Sequence, residues 1–286
     1  MRKRRRSIEA IGLFLGGILL LAPVGGEAGH EPFGTYEDWT TAPTIRADRW
    51  LGSGDSGLET RRELNGEKLR MSFRKEGGTV SDAGSTGFFS NRLNLVPPSA
   101  DQIEADLEIR RLTLTGCIAN ATATIARAAT FDLNRFSDVA GPRPPGDPTG
   151  DHIARVQVFR TSDSLDPEGV LTVSAVLFRC NNAPCSATTI VAGPIVLGQV
   201  AVRERFLPRL IWDSANNQFL AGLDSNPDVP LPYPAAANVQ PANVPFALIR
   251  IQHLPANCTI ASGGPTVGDA EIQVREVHTN LSAIVP

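Results

Sequence analysis

Histidine, tyrosine and tryptophan are scarce in this 286-residue sequence, which has four His, two Tyr and three Trp. The histidines are His30, His152, His253 and His278. No two of them have the i, i+4 spacing with which a helix presents a pair of zinc ligands. The sequence therefore predicts no histidine-based metal site.

Long apolar runs and helical patterns are absent after residue 28. No later segment is apolar over the length that a membrane span requires, so we expect no membrane association in the mature chain. Apolar residues at spacings of three and four never persist over several turns without a Gly or Pro. These absences exclude a transmembrane protein and a helical domain as interpretations of residues 29–286.

What the chain does contain is a series of short segments in which apolar and polar residues alternate. Such alternation is typical of strands that bury one face. The predicted strands are 69–74, 103–110, 119–125, 153–160, 171–178, 207–212, 246–252 and 271–277. Many short strands without intervening helices predict an all-β fold, a two-sheet antiparallel β-sandwich. A closed antiparallel β-barrel is the alternative.

The first 28 residues have the composition of a secretory signal peptide. Residues 2–6 are all basic, residues 10–22 are apolar and uncharged, and Gly25, Gly26 and Ala28 follow. The apolar run is short for a membrane span, so we predict cleavage near Ala28, with an uncut membrane anchor as the alternative. This interpretation predicts an exported protein, secreted or periplasmic, in which residues 29–286 form a single β-sandwich domain.

Without residues 1–28 the chain is mildly acidic. The full sequence has 27 basic and 30 acidic residues, and residues 1–28 contain five and two of them. The remainder therefore has 22 basic and 28 acidic residues, a net charge of −6. A negative surface without a basic stripe argues against a nucleic-acid partner.

All four cysteines lie in the predicted mature chain, as Cys117, Cys180, Cys185 and Cys258. An even number in an exported protein predicts two disulfides, and three pairings are formally possible. The turn-like sequence Asn-Asn-Ala-Pro between Cys180 and Cys185 favours a bridge that closes a hairpin, with Cys117 bonded to Cys258. A zinc site is disfavoured because Cys180 and Cys185 have the spacing C-x4-C and no histidine is near this pair in sequence.

Two proline-rich stretches, 140–151 and 226–245, are predicted to be long loops, because proline cannot donate the hydrogen bond that a central strand requires. We expect no cofactor. Structural calcium remains possible, with hard oxygen ligands from the loop acids Asp147, Asp151, Asp224 and Asp228.

Glu104, Asp106 and Glu108 are the candidate catalytic residues. Residues two apart on a strand share a face and have Cα atoms roughly 6.5 to 7 Å apart. Retaining glycosidases need two carboxyl groups roughly 5 to 5.5 Å apart, which side chains leaning together can reach. In the opposing interpretation, Arg110 and Arg111 pair with these acids on a solvated strand face. The scarcity of Trp and Tyr, which stack on sugar rings, favours this second interpretation.

Trp39 and Tyr233 are the candidate ligand-binding aromatic residues. Trp39 follows two acids, and Tyr233 lies in the second proline-rich stretch, so both are expected to be exposed. Trp50 and Trp212 are expected to pack in the core of the sandwich.

The order of these features resembles that of concanavalin A-like lectin/glucanase domains, with a jelly-roll fold. Residues 65–72 (Asn-Gly-Glu-Lys-Leu-Arg-Met-Ser) resemble their second strand, 210–219 a hairpin, and 268–274 the final strand beside the first. The resemblance implies two packed sheets, one concave, with ligands on the concave side. It also implies, from the E-x-D-x-E strand of laminarinase-like glucanases, that Glu104 is the nucleophile, Asp106 its assistant and Glu108 the acid/base.

Three functions are compatible with these observations. The first is an exported, non-catalytic module that binds a glycan or another surface polymer. The second is a glycoside hydrolase or lyase that uses Glu104, Asp106 and Glu108. The third is a structural or adhesive domain without a small ligand. The sequence leaves open whether the protein is an enzyme, because jelly rolls serve all three functions.

Overall fold

Alternating segments of the sequence form the strands of two antiparallel sheets in a computed structural model of the chain. The structure describes residues 33–40, 43–54, 59–77, 89–117, 123–257 and 265–281. Within these ranges the only helices are two three-residue 3-10 helices, Ser214–Asn216 and Ala235–Ala237. The predicted all-β class is confirmed.

Sheet A has nine strands and contains both the first and the last strand of the chain. Its order is β14-β13-β12-β6-β16-β4-β3, with β1 paired to β16 and β11 paired to β6. The strands are β1 (Gly34–Glu37), β3 (Glu59–Leu64), β4 (Leu69–Glu76), β6 (Gln102–Thr115), β11 (Arg205–Phe206), β12 (Pro208–Asp213), β13 (Gln218–Leu223), β14 (Val229–Pro232) and β16 (Val267–Thr279).

Sheet B has seven strands in the order β10-β9-β8-β7-β15-β5-β2. They are β2 (Trp50–Gly54), β5 (Phe89–Leu95), β7 (Ile125–Ser137), β8 (Asp151–Thr161), β9 (Val170–Cys180), β10 (Thr188–Ala201) and β15 (Gln240–Leu254). Every pairing described in both sheets is antiparallel, and neither path of described strands closes on itself. The β-sandwich is therefore confirmed, and the alternative of a closed barrel is wrong.

The hydrophobic core lies between the sheets and takes alternate residues from their central strands, except where a register shift interrupts the alternation. Leu107 on β6 and Ile272 on β16 face it from sheet A, and Phe131 on β7 and Ile249 on β15 face it from sheet B. Full burial of a side chain of this size stabilises the fold by about 1.5–3 kcal/mol. The residues between these positions point away from the core, on what we call the outer face of each sheet.

Residues 65–72, which resemble a second strand, contain a turn with Gly66 and Glu67 at positive φ and then the start of β4, the fourth of the described strands. Two other predicted local features are present. The β12–β13 hairpin has Asp213 capping its short 3-10 helix through a hydrogen bond from Asn216 N. The last strand lies beside the first, with Gly34 opposite Thr279.

The second proline-rich stretch, 226–245, is only partly a loop, so that prediction needs correction. Pro230 and Pro232 lie in β14, an edge strand that pairs only with β13 among the described strands. Pro241 and Pro245 lie in the first part of β15, where the register with β7 shifts between Pro241 and Phe246. At the edge of a sheet, and where the register shifts, no carbonyl group of a neighbouring strand requires the N–H that proline lacks.

Two long strands fall largely outside the predicted segments. The first is β10, an edge strand of sheet B, and the second is β7, at the centre of that sheet. Of the strand predicted at 119–125, residues 123 and 124 are not in a strand and Ile125 is the first residue of β7. Residues 118–122 lie outside the described residues.

The predicted bridge between Cys180 and Cys185 is present, with a Cα–Cα distance of 4.9 Å, and it closes the β9–β10 hairpin. Cys117 is also disulfide-bonded, and its Sγ lies 3.2 Å from the carbonyl oxygen of Asn257. Cys258, its predicted partner, lies outside the described residues. No helix in the described part of the chain is long and apolar enough to span a membrane.

Candidate functional site

Strand β6 places the three candidate catalytic carboxylates on the outer face of sheet A. Ala105 and Leu107 between them are fully buried in the core. Glu104, Asp106 and Glu108 therefore project together on the opposite side. The outer face around them is rich in charges of both signs.

Two of these carboxylates are engaged by arginines. Arg205, opposite Glu108 on the short strand β11, hydrogen-bonds to Asp106 through two nitrogens. Glu108 accepts hydrogen bonds from Arg110 and, at 3.1 Å, from Arg275. Burial alone raises the pKa of Glu108, but the two arginines outweigh burial and lower its pKa below the ordinary value. Glu108 is therefore held in its ionised form.

Glu104 is in a different environment. It makes no hydrogen bond or ion pair with another described residue, and it lies opposite Arg209 on β12 and His278 on β16. Burial raises its pKa, although His278 and Arg209 act in the opposite direction. A general acid needs a raised pKa. The structure thus gives Glu104 and Glu108 the reverse of the protonation tendencies that the glucanase-like roles require.

The two candidate ligand-binding aromatics are buried, so the expectation that they are exposed is wrong. Trp39 is 3% exposed and stacks on Trp50 with ring centroids 5.4 Å apart. Tyr233 is 5% exposed and packs against Phe136, with the two ring centroids 4.3 Å apart. Its hydroxyl accepts a hydrogen bond of 2.9 Å from Trp212 Nε1. Both residues pack in the core of the sandwich.

The loop acids considered as calcium ligands do not converge. Asp151 is fully buried and accepts hydrogen bonds from Arg143, Asn134 and the Val244 N–H. The other three have separate partners: Asp147 binds Thr149, Asp224 binds the Leu207 N–H, and Asp228 binds Arg209. Among the described residues no three His, Cys, Asp or Glu side chains are grouped so that they could hold a metal ion.

A second group of charged residues lies on the outer face of sheet B, and the sequence analysis missed it. Arg127 on β7, Arg155 on β8 and Arg250 on β15 lie around Asp132 on β7, and Arg92 on β5 lies opposite Arg250; we call these five residues the arginine cluster. Phe131, Val156 and Ile249 face the core from the same central strands, so the charged side chains project on the other side. These charges lie at the middle of the sheet.

Asp132 is the negative centre of the arginine cluster. It is 1% exposed, and its carboxylate lies 2.7 Å from Arg155 Nε and 2.6 Å from Arg250 Nη2. Burial alone raises its pKa, but Arg155 and Arg250 outweigh burial and lower the pKa. Arg250 Nε also donates to Thr130 Oγ1 at 3.0 Å. Asp132 is therefore ionised and holds two guanidinium groups in fixed positions.

Arg127 and Arg250 keep their positive charge although both are largely buried. Arg127 donates to the neutral Gln252 Oε1 at 2.6 Å. Burial lowers the pKa values of Arg127 and Arg250 to about 9, with neighbouring arginines acting in the same direction. A pKa of this size still leaves a guanidinium protonated at neutral pH.

The pairing of neighbouring strands places two of these arginines in one line with neutral side chains that can form hydrogen bonds. A row that crosses five neighbouring strands contains Ser174, Gln157, Thr130, Arg250 and Arg92, each directly opposite the next. With about 4.8 Å between strands, the row spans roughly 19 Å. Gln157 Nε2 donates to Ser174 Oγ at 3.1 Å. We call this set of residues the polar row.

Apolar side chains border the arginine cluster on the β8–β9 side. Arg155 Cζ lies 4.8 Å from the centroid of the Phe178 ring, a cation–π contact. Phe159 lies directly opposite Arg127 and is partly exposed. The outer face of sheet B thus presents fixed cations, neutral donors and acceptors, and aromatic surface in one area.

Comparisons with known proteins place the chain near two kinds of domain. No protein-family model and no curated protein sequence matches it. Among solved structures it is similar to the Emp47p carbohydrate recognition domain (9% identity, TM-score 0.41, covering 87% of this chain and 95% of that one). It is similar to an endo-1,3-β-glucanase from Thermotoga petrophila (11%, TM-score 0.46, 87% and 98%). A β-1,3-glucanase from Mycobacterium marinum matches too (10%, TM-score 0.43, 88% and 100%).

These structures are lectin and glucanase domains, the two kinds of protein that the sequence layout resembles. At such identities, and with TM-scores below 0.5, the likeness carries no argument about a ligand or a reaction of this chain. The function has to be argued from its own side chains.

Proposed function

We propose that this protein is an exported β-sandwich module that binds a glycan or another surface polymer without cleaving it. The observation that carries the proposal is the polar row on the outer face of sheet B. Five side chains with hydrogen-bonding groups stand in register on five strands over roughly 19 Å. Gln157 and Arg92 are the partly exposed members of the row, and a polymer bearing many hydroxyl groups offers hydrogen-bonding partners to both.

The rigidity of the surface supports binding. Thr130 and Ser174 are buried, and Arg250 is held by both Asp132 and Thr130. Side chains fixed in this way lose little conformational entropy when a ligand binds. Sites built on strands also keep their geometry better than sites on loops.

The environment of β6 argues against cleavage. Glu108, the acid/base of the glucanase-like interpretation, is kept ionised by Arg110 and Arg275, and Asp106 is paired with Arg205. A hydrolase would need these arginines to move before a proton could reach a glycosidic oxygen from Glu108. A hydrolase or lyase is the second candidate, because the raised pKa of Glu104 is a feature of a general acid.

The disulfide of the chain is consistent with an exported protein. The Cys180–Cys185 bridge is of the kind that persists in oxidising compartments. Together with the signal-like residues 1–28, it supports a secreted or periplasmic location.

The test is a panel of polysaccharides offered to the purified protein, with two readouts. We expect wild type to bind at least one glycan on an array and to release no reducing sugar from any of them. Release of reducing sugar that is abolished in Glu104→Gln and Glu108→Gln would establish the hydrolase instead. Silence across the array from a folded sample would favour a structural or adhesive domain.

A further inference from the structure

Strand β10, at one edge of sheet B, has no charged residue. It is 14 residues long, and the uncharged stretch that contains it extends from Asn181 to Val202. It pairs with β9 and with no other described strand, so its second row of backbone N–H and C=O groups faces away from the sheet. Ile190 and Val196 on this strand are 58% and 67% exposed. The protein therefore presents an uncharged, partly apolar strand edge at its surface.

The other ends of the two sheets have features that normally prevent a strand from pairing with another chain. Four of the six residues of β3 are charged. Strand β14 has two prolines among its four residues, and β2 is only five residues long. Among these described edge strands, β10 alone combines length with a lack of charge.

We propose that two copies of this chain associate through β10, with the strand of one copy paired antiparallel to that of the other. Pairing gives outward backbone groups of both copies hydrogen-bond partners and places Ile190 and Val196 beside uncharged side chains of the partner strand. The charge of the molecule favours a second copy as the partner. The predicted mature chain is acidic, so two copies repel one another except where both surfaces are uncharged. Like charges opposite one another destabilise paired strands, and β10 contributes none.

The size of this edge and its interruptions predict a reversible dimer. A strand of 14 residues spans up to about 46 Å, and packed sheets are about 10 Å apart, so this side of the sandwich offers about 460 Å² on each copy. That area is at the low end for a specific interface. Pro194 lacks the N–H that a ladder requires, and the register with β9 shifts on both sides of it. We therefore expect two paired runs rather than one, and a dissociation constant on the order of 10 μM.

The dimer joins the two copies of sheet B into one continuous antiparallel sheet. When a strand pairs antiparallel with its own copy, the twofold axis is perpendicular to the sheet, so both outer faces lie on the same side. The two polar rows then face in one direction. A polymer long enough to reach both rows binds two sites at once, which raises its overall affinity. This consequence rests on the proposed function, whereas the dimer itself does not.

The test is sedimentation equilibrium of the purified protein from about 1 to about 200 μM, with amide hydrogen exchange measured at both ends of that range. We expect wild type to change from monomer to dimer, and the β10 amides to exchange more slowly at the higher concentration. Val196→Lys adds a charge to this edge in each copy, so the dissociation constant should rise about 10-fold or more. Because Val196 is exposed, we expect the variant to keep the circular dichroism and melting temperature of wild type.

The matched control is Leu51→Lys. Leu51 is 62% exposed on β2, the opposite edge strand of the same sheet, so the variant adds the same charge at a similar exposure and should leave the dissociation constant unchanged. Wild type that stays monomeric at the highest concentration would overturn the proposal. A dimer that Leu51→Lys weakens as much as Val196→Lys does, or one in which the β10 amides gain no protection, would overturn it too. The exchange result on wild type decides the case even if Val196→Lys does not fold, and neither readout requires a glycan.

Discussion

Asp132 on β7 and Arg250 on the neighbouring β15 form an ion pair of 2.6 Å on the outer face of sheet B. Arg155 on β8 approaches the same carboxylate at 2.7 Å, so a single buried acid links the three central strands of the sheet. The ion pair therefore stabilises the fold in addition to forming part of the candidate site. Its removal should lower the stability of the protein.

Replacing the acid should destabilise the protein strongly. Asp132→Asn leaves Arg155 and Arg250 without their buried counter-charge, and breaking such a pair costs about 3–5 kcal/mol. We expect the free energy of unfolding, measured by urea denaturation, to fall by about that amount. The control is Asp48→Asn, which removes an exposed partner of Arg46 and should cause no measurable change. Equal effects of the two variants would show that Asp132 is not a structural centre.

Acid should destabilise the protein through His253. Its ring is fully buried, stacks on Phe73, and has Nε2 2.9 Å from the Phe73 carbonyl oxygen. Burial lowers its pKa to about 4, from an ordinary value of about 6.5. Between these two pH values the unfolded chain binds a proton that the folded protein excludes. Stability therefore decreases as pH falls from about 6.5 to 4, by about 3 kcal/mol for this residue, and this loss levels off below pH 4.

The variant His253→Gln isolates this contribution, since glutamine does not titrate. Its free energy of unfolding should change less steeply with pH between 6.5 and 4 than that of wild type. Some pH dependence should remain, because burial also lowers the pKa of His152. An unchanged slope in the variant would contradict the assignment.

The carboxylates of β6 should be dispensable for binding. Glu104→Gln and Glu108→Gln lie on sheet A, away from the polar row, and we expect both to bind the glycan as wild type does. The two variants should differ in stability, because Glu108→Gln removes ion pairs with Arg110 and Arg275, whereas Glu104 has no such pair to lose. Loss of binding in either variant would place the ligand on sheet A.

The Cys180–Cys185 bridge should be found by non-reducing peptide mapping as a link between the ends of β9 and β10. Closing so short a loop stabilises by about 2 kcal/mol in the chain-entropy account. The double variant Cys180→Ala/Cys185→Ala should lose about that much stability, because its unfolded chain is no longer restricted by the bridge. A free thiol at either position in the native protein would contradict the structure.

The alternation of apolar and polar residues correctly predicts the sandwich and the face of sheet A on which the β6 carboxylates lie. The prediction succeeds because β6 alternates without interruption from Ile103 to Ile109. The same rule fails on β7. Register shifts between Arg127 and Ala129 and between Asn134 and Phe136 interrupt its alternation, so the charged residues do not follow a single period. Arg155 and Arg250 did give a signal, as isolated charges within apolar strands, but only the assembled sheet brings them to Asp132.

The aromatic residues show a second limit of local patterns. Trp39 and Tyr233 lie in short polar and proline-rich surroundings, which suggests exposure. Their burial depends on partners distant in sequence: Trp50 for the first, and Phe136 and Trp212 for the second. Partners of this kind cannot be assigned before the strands are placed.

The most direct measurement is a crystal structure of the protein soaked with an oligosaccharide that binds in solution. The account predicts the sugar along the polar row, within hydrogen-bonding distance of Gln157 or Arg92. An oligosaccharide lying instead over Glu104, Asp106 and Glu108 on sheet A would contradict it.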